Sequence, residues 1–222
     1  MKTIERLGLA AFVAMLLLGP RVAAAQTPFA IGQVHYGGGG DWYSSTASIA
    51  NWLREVRERV GIPTESEARV VRLTDRDLDR TPFLYINGHG NIRLTDAEVT
   101  ALRRFLTSGG FLFVNDDYGL DKSFRREIAR VFPDARLEPI PGTHPIYHSF
   151  YDLEGLPKIH EHDGDPAQGF GIFYEGRLVV FYAWSSDIGD GLEDYEVHQD
   201  PDEVREAAIR MAVNLVVYAL TH

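Results

Sequence analysis

Phe83-Leu84-Tyr85-Ile86-Asn87-Gly88-His89-Gly90 and Gly109-Gly110-Phe111-Leu112-Phe113-Val114-Asn115-Asp116-Asp117 decide the fold. Each contains a run of consecutive apolar side chains that stops abruptly at polar residues. A strand with one wet face alternates apolar and polar residues. An unbroken apolar run marks a strand covered on both faces. Between the two runs, Thr95-Asp96-Ala97-Glu98 has the spacing of a capping box, in which hydroxyl and carboxylate each satisfy a free backbone N–H. The helix it opens carries Val99, Leu102, Phe105 and Leu106 on one face and ends near Gly109-Gly110. Strand, helix, strand, with both strands buried, means parallel pairing through a right-handed crossover.

The alternation extends in both directions. Phe29 to His35 reads as a strand, ended by Gly37-Gly38-Gly39-Gly40. Ile49, Trp52, Leu53, Val56 and Val60 share a helical face, and Gly61-Ile62-Pro63 stops that helix. Arg69 to Leu73 is a further strand. A helix starts at Asp121 or Ser123 and turns Phe124, Ile128 and Val131 inward. Residues 139–169 are rich in Pro, Gly, His and Asp and read as a long irregular excursion. Gly171 to Tyr174 and Leu178 to Tyr182, either side of Glu175-Gly176-Arg177, read as a hairpin. Asp200-Pro201-Asp202-Glu203 offers an N-cap, an N1 proline and an N3 acid. Val204, Ala208, Met211, Leu215 and Tyr218 then form a core stripe, which Arg210 and Asn214 keep from being a membrane span. The expected fold is α/β: one domain with a doubly wound, mostly parallel sheet, a C-terminal hairpin and a C-terminal helix.

Lys2 and Arg6 form a positive stretch ahead of an apolar segment from Leu7 to Gly19, and Ala23-Ala24-Ala25 has the small-residue spacing of a signal-peptidase site. Cleavage is expected between Ala25 and Gln26, leaving a domain of residues 26–222 in the periplasm or beyond the cell. No cysteine follows the segment, so a lipid anchor is excluded. The formal net charge is −10, and losing Lys2, Glu5, Arg6 and Arg21 makes it more negative still. Such a surface repels nucleic acid and anionic lipid. The expected partner is a small molecule or an envelope protein. With no cysteine in the chain, disulfides, thiolate metal sites and thiol nucleophiles are all ruled out.

Ligands of open parallel sheets bind beyond the carboxyl ends of the strands, where loops converge and helix N-termini point inward. That edge selects the loops from His35 to Trp42, Asn87 to Asn91 and Asn115 to Gly119. The candidate ligand-binding residues are Asp41, His89, Asn91, Asp116, Asp117 and Tyr118, with His144, His148 and Asp187 closing the rim. His89, between two glycines, suits a general base, a metal ligand or a hydroxyl donor, or a turn residue bonded to backbone. Asp116 and Asp117 suit a hard cation, acid–base work or sugar hydroxyls; aspartate is equally a favoured turn and cap residue. His160 and His162 would face one way in a strand and could chelate, but zinc needs three or four ligands. No cofactor is assigned; a divalent metal is the one candidate. The glycine run fits neither the phosphate-loop nor the dinucleotide pattern and reads most simply as a flexible turn. Ser44-Ser45 and Ser185-Ser186 lack the Gly-x-Ser-x-Gly elbow of a serine hydrolase.

The ordered series Phe83 to Thr95, Gly109 to Gly119, Asp121 to Glu127 and His144 to Tyr151 resembles the bacterial domain-of-unknown-function family 4159, over about Phe29 to the C-terminus. The resemblance implies a flavodoxin-like fold of the class I glutamine amidotransferase-like type. A looser similarity, in the Gly88-His89-Gly90 strand end and His144-Pro145-Ile146, is to trehalose-utilisation ThuA-like domains, which implies carbohydrate. In amidotransferases the nucleophilic cysteine sits on the turn that here reads Asn115-Asp116-Asp117, so glutamine amidotransfer is excluded. The expectation is an exported domain that binds a small ligand or an envelope partner. The alternative is a metal- or carboxylate-dependent hydrolase using His89 with Asp116 or Asp117.

Overall fold

A computed structural model describes residues 27–44, 46–162 and 164–222. The expected signal peptide and its cleavage after Ala25 lie outside the described residues. The elements alternate as β1 (Ile31–Val34), α1 (Thr46–Val60), β2 (Arg69–Val71), β3 (Phe83–Ile86), α2 (Asp96–Thr107), β4 (Phe111–Asn115), α3 (Asp121–Val131), β5 (Glu138–Pro139), β6 (Gln168–Tyr174) and β7 (Arg177–Trp184). Two single-turn helices, α4 (Ile188–Gly191) and α5 (Tyr195–His198), lead into α6 (Asp202–Thr221). Seven strands form one sheet in the order β2-β1-β3-β4-β7-β6-β5. β2, β1, β3, β4 and β7 are parallel; β6 and β5 add an antiparallel margin. The five parallel strands thus follow the flavodoxin-like order, with the change of winding direction between β1 and β3.

The two unbroken apolar runs are buried on both sides because alternate residues serve different cores. Phe83, Tyr85, Phe111 and Phe113 face α1 and α6. Leu84, Ile86, Leu112 and Val114 face α2 and α3. On the first face Trp52 is the keystone. Its ring meets Phe83, Tyr85 and Phe113 edge-on at centroid distances of 5.4 Å, 5.7 Å and 5.7 Å, and its indole N–H donates to the Ala212 carbonyl at 2.8 Å. One contact therefore gives the ring favourable packing and satisfies its only donor.

Local chemistry sets the boundaries. Thr95 and Glu98 make the expected capping box. The β6–β7 hairpin turns through Glu175 and Gly176, both with positive φ, as a two-residue turn matched to strand twist requires. Its strands are longer than the apolar pattern indicates. The last helix departs from the reading of its start. Its first residue is Asp202, and the cap position is Pro201, whose carbonyl accepts from Val204 and Arg205 N–H at 3.0 Å and 3.1 Å. The glycine run is held rather than loose: Gly37 accepts from the Arg93 N–H at 2.8 Å and Gly40 donates to the Asn91 carbonyl at 3.1 Å. A β-carbon on Gly38 would come within 2.6 Å of Arg93 N and Asn91 O, so only glycine permits this approach.

The excursion after α3 is fixed by Asn214. This buried side chain, in the middle of α6, accepts from Phe150 and Tyr151 N–H at 3.1 Å and 2.8 Å and donates to the Tyr151 carbonyl at 2.8 Å. Asn214→Ala strands two donors and one acceptor at a helix–loop contact. It is expected to lower unfolding free energy by roughly 2–4 kcal/mol, read by urea denaturation. A loss within about 0.5 kcal/mol would show that the excursion is not tied here.

Candidate functional site

β1, β3, β4 and β7 all end at one edge, and their exit loops carry a continuous polar network. It begins inside β1, where the buried Gln33 amide donates to the Trp42 carbonyl at 2.9 Å. Asn87, just after β3, donates to the carbonyl and hydroxyl of Ser44 at 2.7 Å and 2.9 Å. Ser44 Oγ donates to Asp117 Oδ2 at 3.1 Å. Asn115, the last residue of β4, donates through one amide nitrogen to Asp117 and, at 3.1 Å, to Asp187, while its carbonyl oxygen takes the Ile188 N–H at 2.8 Å. The glycine at 189 keeps this corner open: a β-carbon there would lie 3.0 Å from the Tyr85 hydroxyl and 3.2 Å from the Asn115 amide.

Asp117 and Asp187 are each 1% exposed, and among the described residues no lysine or arginine pairs with either. Burial first, and then the charge of Asp190, push the Asp117 carboxyl up to about 7, against the pull of Asn115, His89 and Ser44. Burial and the neighbouring charges of Asp117 and Asp190 raise Asp187 well above the carboxylate range. Asp116, one residue from Asp117, points the other way. Its Oδ1 accepts from Tyr118 and Leu120 N–H at 3.2 Å and 2.9 Å, and its Oδ2 from the Tyr182 hydroxyl at 2.8 Å. Those bonds hold Tyr118 at φ 113°, a conformation L side chains rarely adopt, with its ring half exposed.

Ser185 and Asp187 also have positive φ, so three of the five such non-glycine residues among those described lie on this rim. Ser186 between them fastens the excursion to the rim. Its carbonyl accepts from Ile159 and His160 N–H at 2.9 Å and 3.1 Å, and its hydroxyl donates to the Pro157 carbonyl at 2.6 Å. This delivers His160 and His162 to the acids, and His198 joins them from α5. His162 Nε2 lies 3.4 Å from Asp187 Oδ2. Asp190 sits between His160 Nδ1 at 2.8 Å and His198 Nε2 at 3.3 Å. The His162 ring stacks on Tyr118 at 4.9 Å. Beside it a cavity of about 340 Å³ is lined by Tyr118, Trp184, Asp121, Lys122, His162 and Ser185, among others.

Of the residues singled out from sequence, Asp41, His89, Asp116, Asp117, Tyr118 and Asp187 all stand on this edge. His89 pairs with Asp41, which accepts from its backbone N–H and lies 3.1 Å from its Nδ1. Despite partial desolvation, those bonds hold Asp41 below the usual carboxylate range. Asn91 turns outward, between the Gly38 carbonyl and the Arg126 guanidinium. His144 is elsewhere. It packs on Phe173 and Tyr218 near the start of β7, toward the amino edge, and its Nδ1 takes the Ile146 N–H at 3.2 Å. His148 bonds within its own loop, to the Gly142 carbonyl at 2.8 Å and Asp152 at 3.2 Å. Gln33, Ser44, Asn87, Asn115, Asp190 and His198 complete the network without having been selected. For Asn87 and Asn115 a signal was present: an amide ends each buried run. Asp190 and His198 lie on single turns with no periodicity to read.

The adjacent aspartates give opposite stability signatures. The folded-state pKa of Asp117 is raised from 3.8, so between about 4 and 7 the folded protein holds more protons than the unfolded chain and stability falls as pH rises. In chelator-treated protein, Asp117→Asn is expected to be more stable than wild type at pH 8, by on the order of 2 kcal/mol, with the advantage vanishing toward pH 4. Asp116→Ala is expected to lose roughly 2–4 kcal/mol at either pH, since it strands three donors. Melting curves of both variants across pH 4–8 check the signs.

Comparison with curated proteins finds no match. The family model described as Domain of unknown function (DUF4159) matches residues 30–220, which takes in every strand and helix described above except the last residue of α6. The chain belongs to the DUF4159 family.

Proposed function

We propose that this protein binds a small hydroxylated ligand of the carbohydrate type in the cleft between Tyr118 and Trp184, and does so outside the cytoplasm. The observation that carries the reading is Tyr118. A bulky residue at φ 113° costs on the order of 1–3 kcal/mol, and such strain persists where the surroundings enforce it. Here Asp116 holds the turn through one carboxylate oxygen, which accepts from Tyr118 and Leu120 N–H, while the Tyr182 hydroxyl of β7 fixes the other. The result is an aromatic face presented over a cleft rather than tucked into a core.

The lining suits a sugar. Tyr118 and Trp184 offer flat apolar faces, and Asp121, Lys122, His162 and Ser185 offer donors and acceptors for hydroxyls. The volume of about 340 Å³ is at the small end of ligand sites, the size for one or two rings. The similarity to ThuA-like domains leans the same way, and the signal-peptide pattern of residues 1–25 supports action outside the cytoplasm. Binding is preferred to hydrolysis because His89 is paired with Asp41, Asp116 with its own turn, and Asp117 is buried against Ser44 and Asn115, out of reach of a ligand in this cleft.

Titration calorimetry of chelator-treated protein against neutral mono- and disaccharides tests this. Tyr118→Ala and Trp184→Ala should each weaken binding by about 0.5–1.5 kcal/mol. Tyr118→Gly should weaken binding at least as much as Tyr118→Ala while raising the melting temperature, because glycine accepts the backbone conformation freely. A panel in which no sugar binds wild type, or a Tyr118→Gly variant that melts lower, would sink the reading.

A further inference from the structure

We infer that His160, His162 and Asp187 form a binding site for one borderline divalent metal ion of the zinc, cobalt or nickel kind. The donor atoms of the three residues all lie within 4.8 Å of one another. They come from two segments that are fastened to each other. The His160 backbone is tied to the Ser186 carbonyl at 3.1 Å, so the excursion cannot shift without breaking its link to the residue beside Asp187. The 3.4 Å between His162 Nε2 and Asp187 Oδ2 is the length of a tetrahedral edge: two bonds of about 2.0–2.1 Å to one ion put their donors about 3.3–3.4 Å apart.

The surroundings are those of a metal site rather than of an ion pair alone. Asp190 engages His160 Nδ1, leaving Nε2 as the nitrogen that binds; an outer carboxylate on a ligating imidazole fixes ring orientation and raises basicity. Asn115 and the Asp190 N–H hold Asp187 Oδ1 at 3.1 Å and 3.4 Å, leaving Oδ2 turned to His162. Tyr118 stacked on the His162 ring limits its rotation. Two imidazoles and one carboxylate select against calcium and magnesium, which take oxygen ligands. Three protein ligands leave a coordination position for water or for an oxygen of a molecule in the adjoining cleft. A second grouping, His160 with Asp190 and His198, shares one imidazole. It is disfavoured because His160 Nδ1 and Asp190 Oδ2 lie 2.8 Å apart, a hydrogen-bond length shorter than the edge of about 3.3–3.4 Å between two donors on one ion.

This inference does not depend on the sugar reading, and its test uses no sugar. The untagged full chain is stripped with chelator and titrated with zinc against a chromogenic competitor, and separately with cobalt while visible d–d absorption is followed. One equivalent is expected, with cobalt bands of a four- or five-coordinate nitrogen–oxygen site. His160→Ala, His162→Ala and Asp187→Asn should each weaken binding more than about 100-fold, and Asp190→Asn by about 10–100-fold through the orientation of His160. His144→Ala and His148→Ala, which touch neither grouping, should bind as wild type does. Because Asp187 is buried and its variant can misfold, His162→Ala, a partly exposed substitution checked by circular dichroism, carries the decision. Substoichiometric binding, or full binding by folded His162→Ala, overturns the site. Loss in His198→Ala with retention in His162→Ala would assign the ion to the other grouping and equally defeat the proposal.

Discussion

A neutral amide between two buried carboxylates governs the carboxyl edge of this protein. Asn115 closes β4, the central strand of the sheet, and its side chain serves Asp117, Asp187 and the Ile188 N–H together. Asparagine fits because it brings a two-hydrogen donor and an acceptor in one rigid plane. Aspartate in its place could not donate, and a leucine would leave both acids bare. An arginine would bond both acids and neutralise them, which removes the feature that matters. An amide satisfies geometry without cancelling charge, so the acids are positioned but remain costly to ionise. Burial first, and then the charges of neighbouring acids, raise their pKa values, and the Asn115 bonds offset only part of that rise.

Around this point the work divides between sheet and loops. The sheet supplies fixed directions: Asp116 and Asp117 are neighbours, so one turns toward α3 and Tyr182 and the other toward Ser44 and Asn115. A single aspartate could not both hold the Tyr118 turn and receive Ser44 and Asn115, since three hydrogen bonds already occupy both Asp116 oxygens. The loops supply what the sheet cannot, namely side chains from distant sequence. Residues 157–162 reach the edge only because Ser186 accepts and donates to them across a backbone bent by left-handed Ser185 and Asp187. Strain at these residues is the cost of turning β7's exit back over the edge.

The sheet was legible in the sequence because burial on two faces writes itself as unbroken apolar runs, and α2 because its capping box is local. So were the loops after β1, β3 and β4, since topology sends parallel strands out at one edge. What could not be read depends on long-range pairing. β5, two residues long, exists only by pairing with β6. The start of α6 moved because backbone carbonyl bonding, not the Asp200 side chain, caps it. His144 has the same local appearance as His160, yet Phe173 and Tyr218 draw it to the amino edge while Ser186 draws His160 to the carboxyl edge. Asp190 and His198 acquire meaning only from what β7's exit brings beside them.

The distribution of arginine shows that the edge is not short of cations by accident. Away from this edge, arginines meet acids repeatedly: Arg59 with Glu206, Arg69 with Glu65, and Arg126 and Arg130 with Glu127, which is buried. Glu127 is thereby held below the usual glutamate range, although burial pushes it up. The chain thus possesses the ordinary means of settling a buried carboxylate and uses it at α3. At Asp187 and Asp190 it places imidazoles instead, and at Asp117 only a hydroxyl and an amide. A guanidinium is a permanent charge, whereas an imidazole gains or gives up its proton near neutrality and can trade it for another Lewis acid. Neutralisation at this edge is therefore left to something exchangeable, and that is the physical difference between a carboxylate built for stability and one kept available.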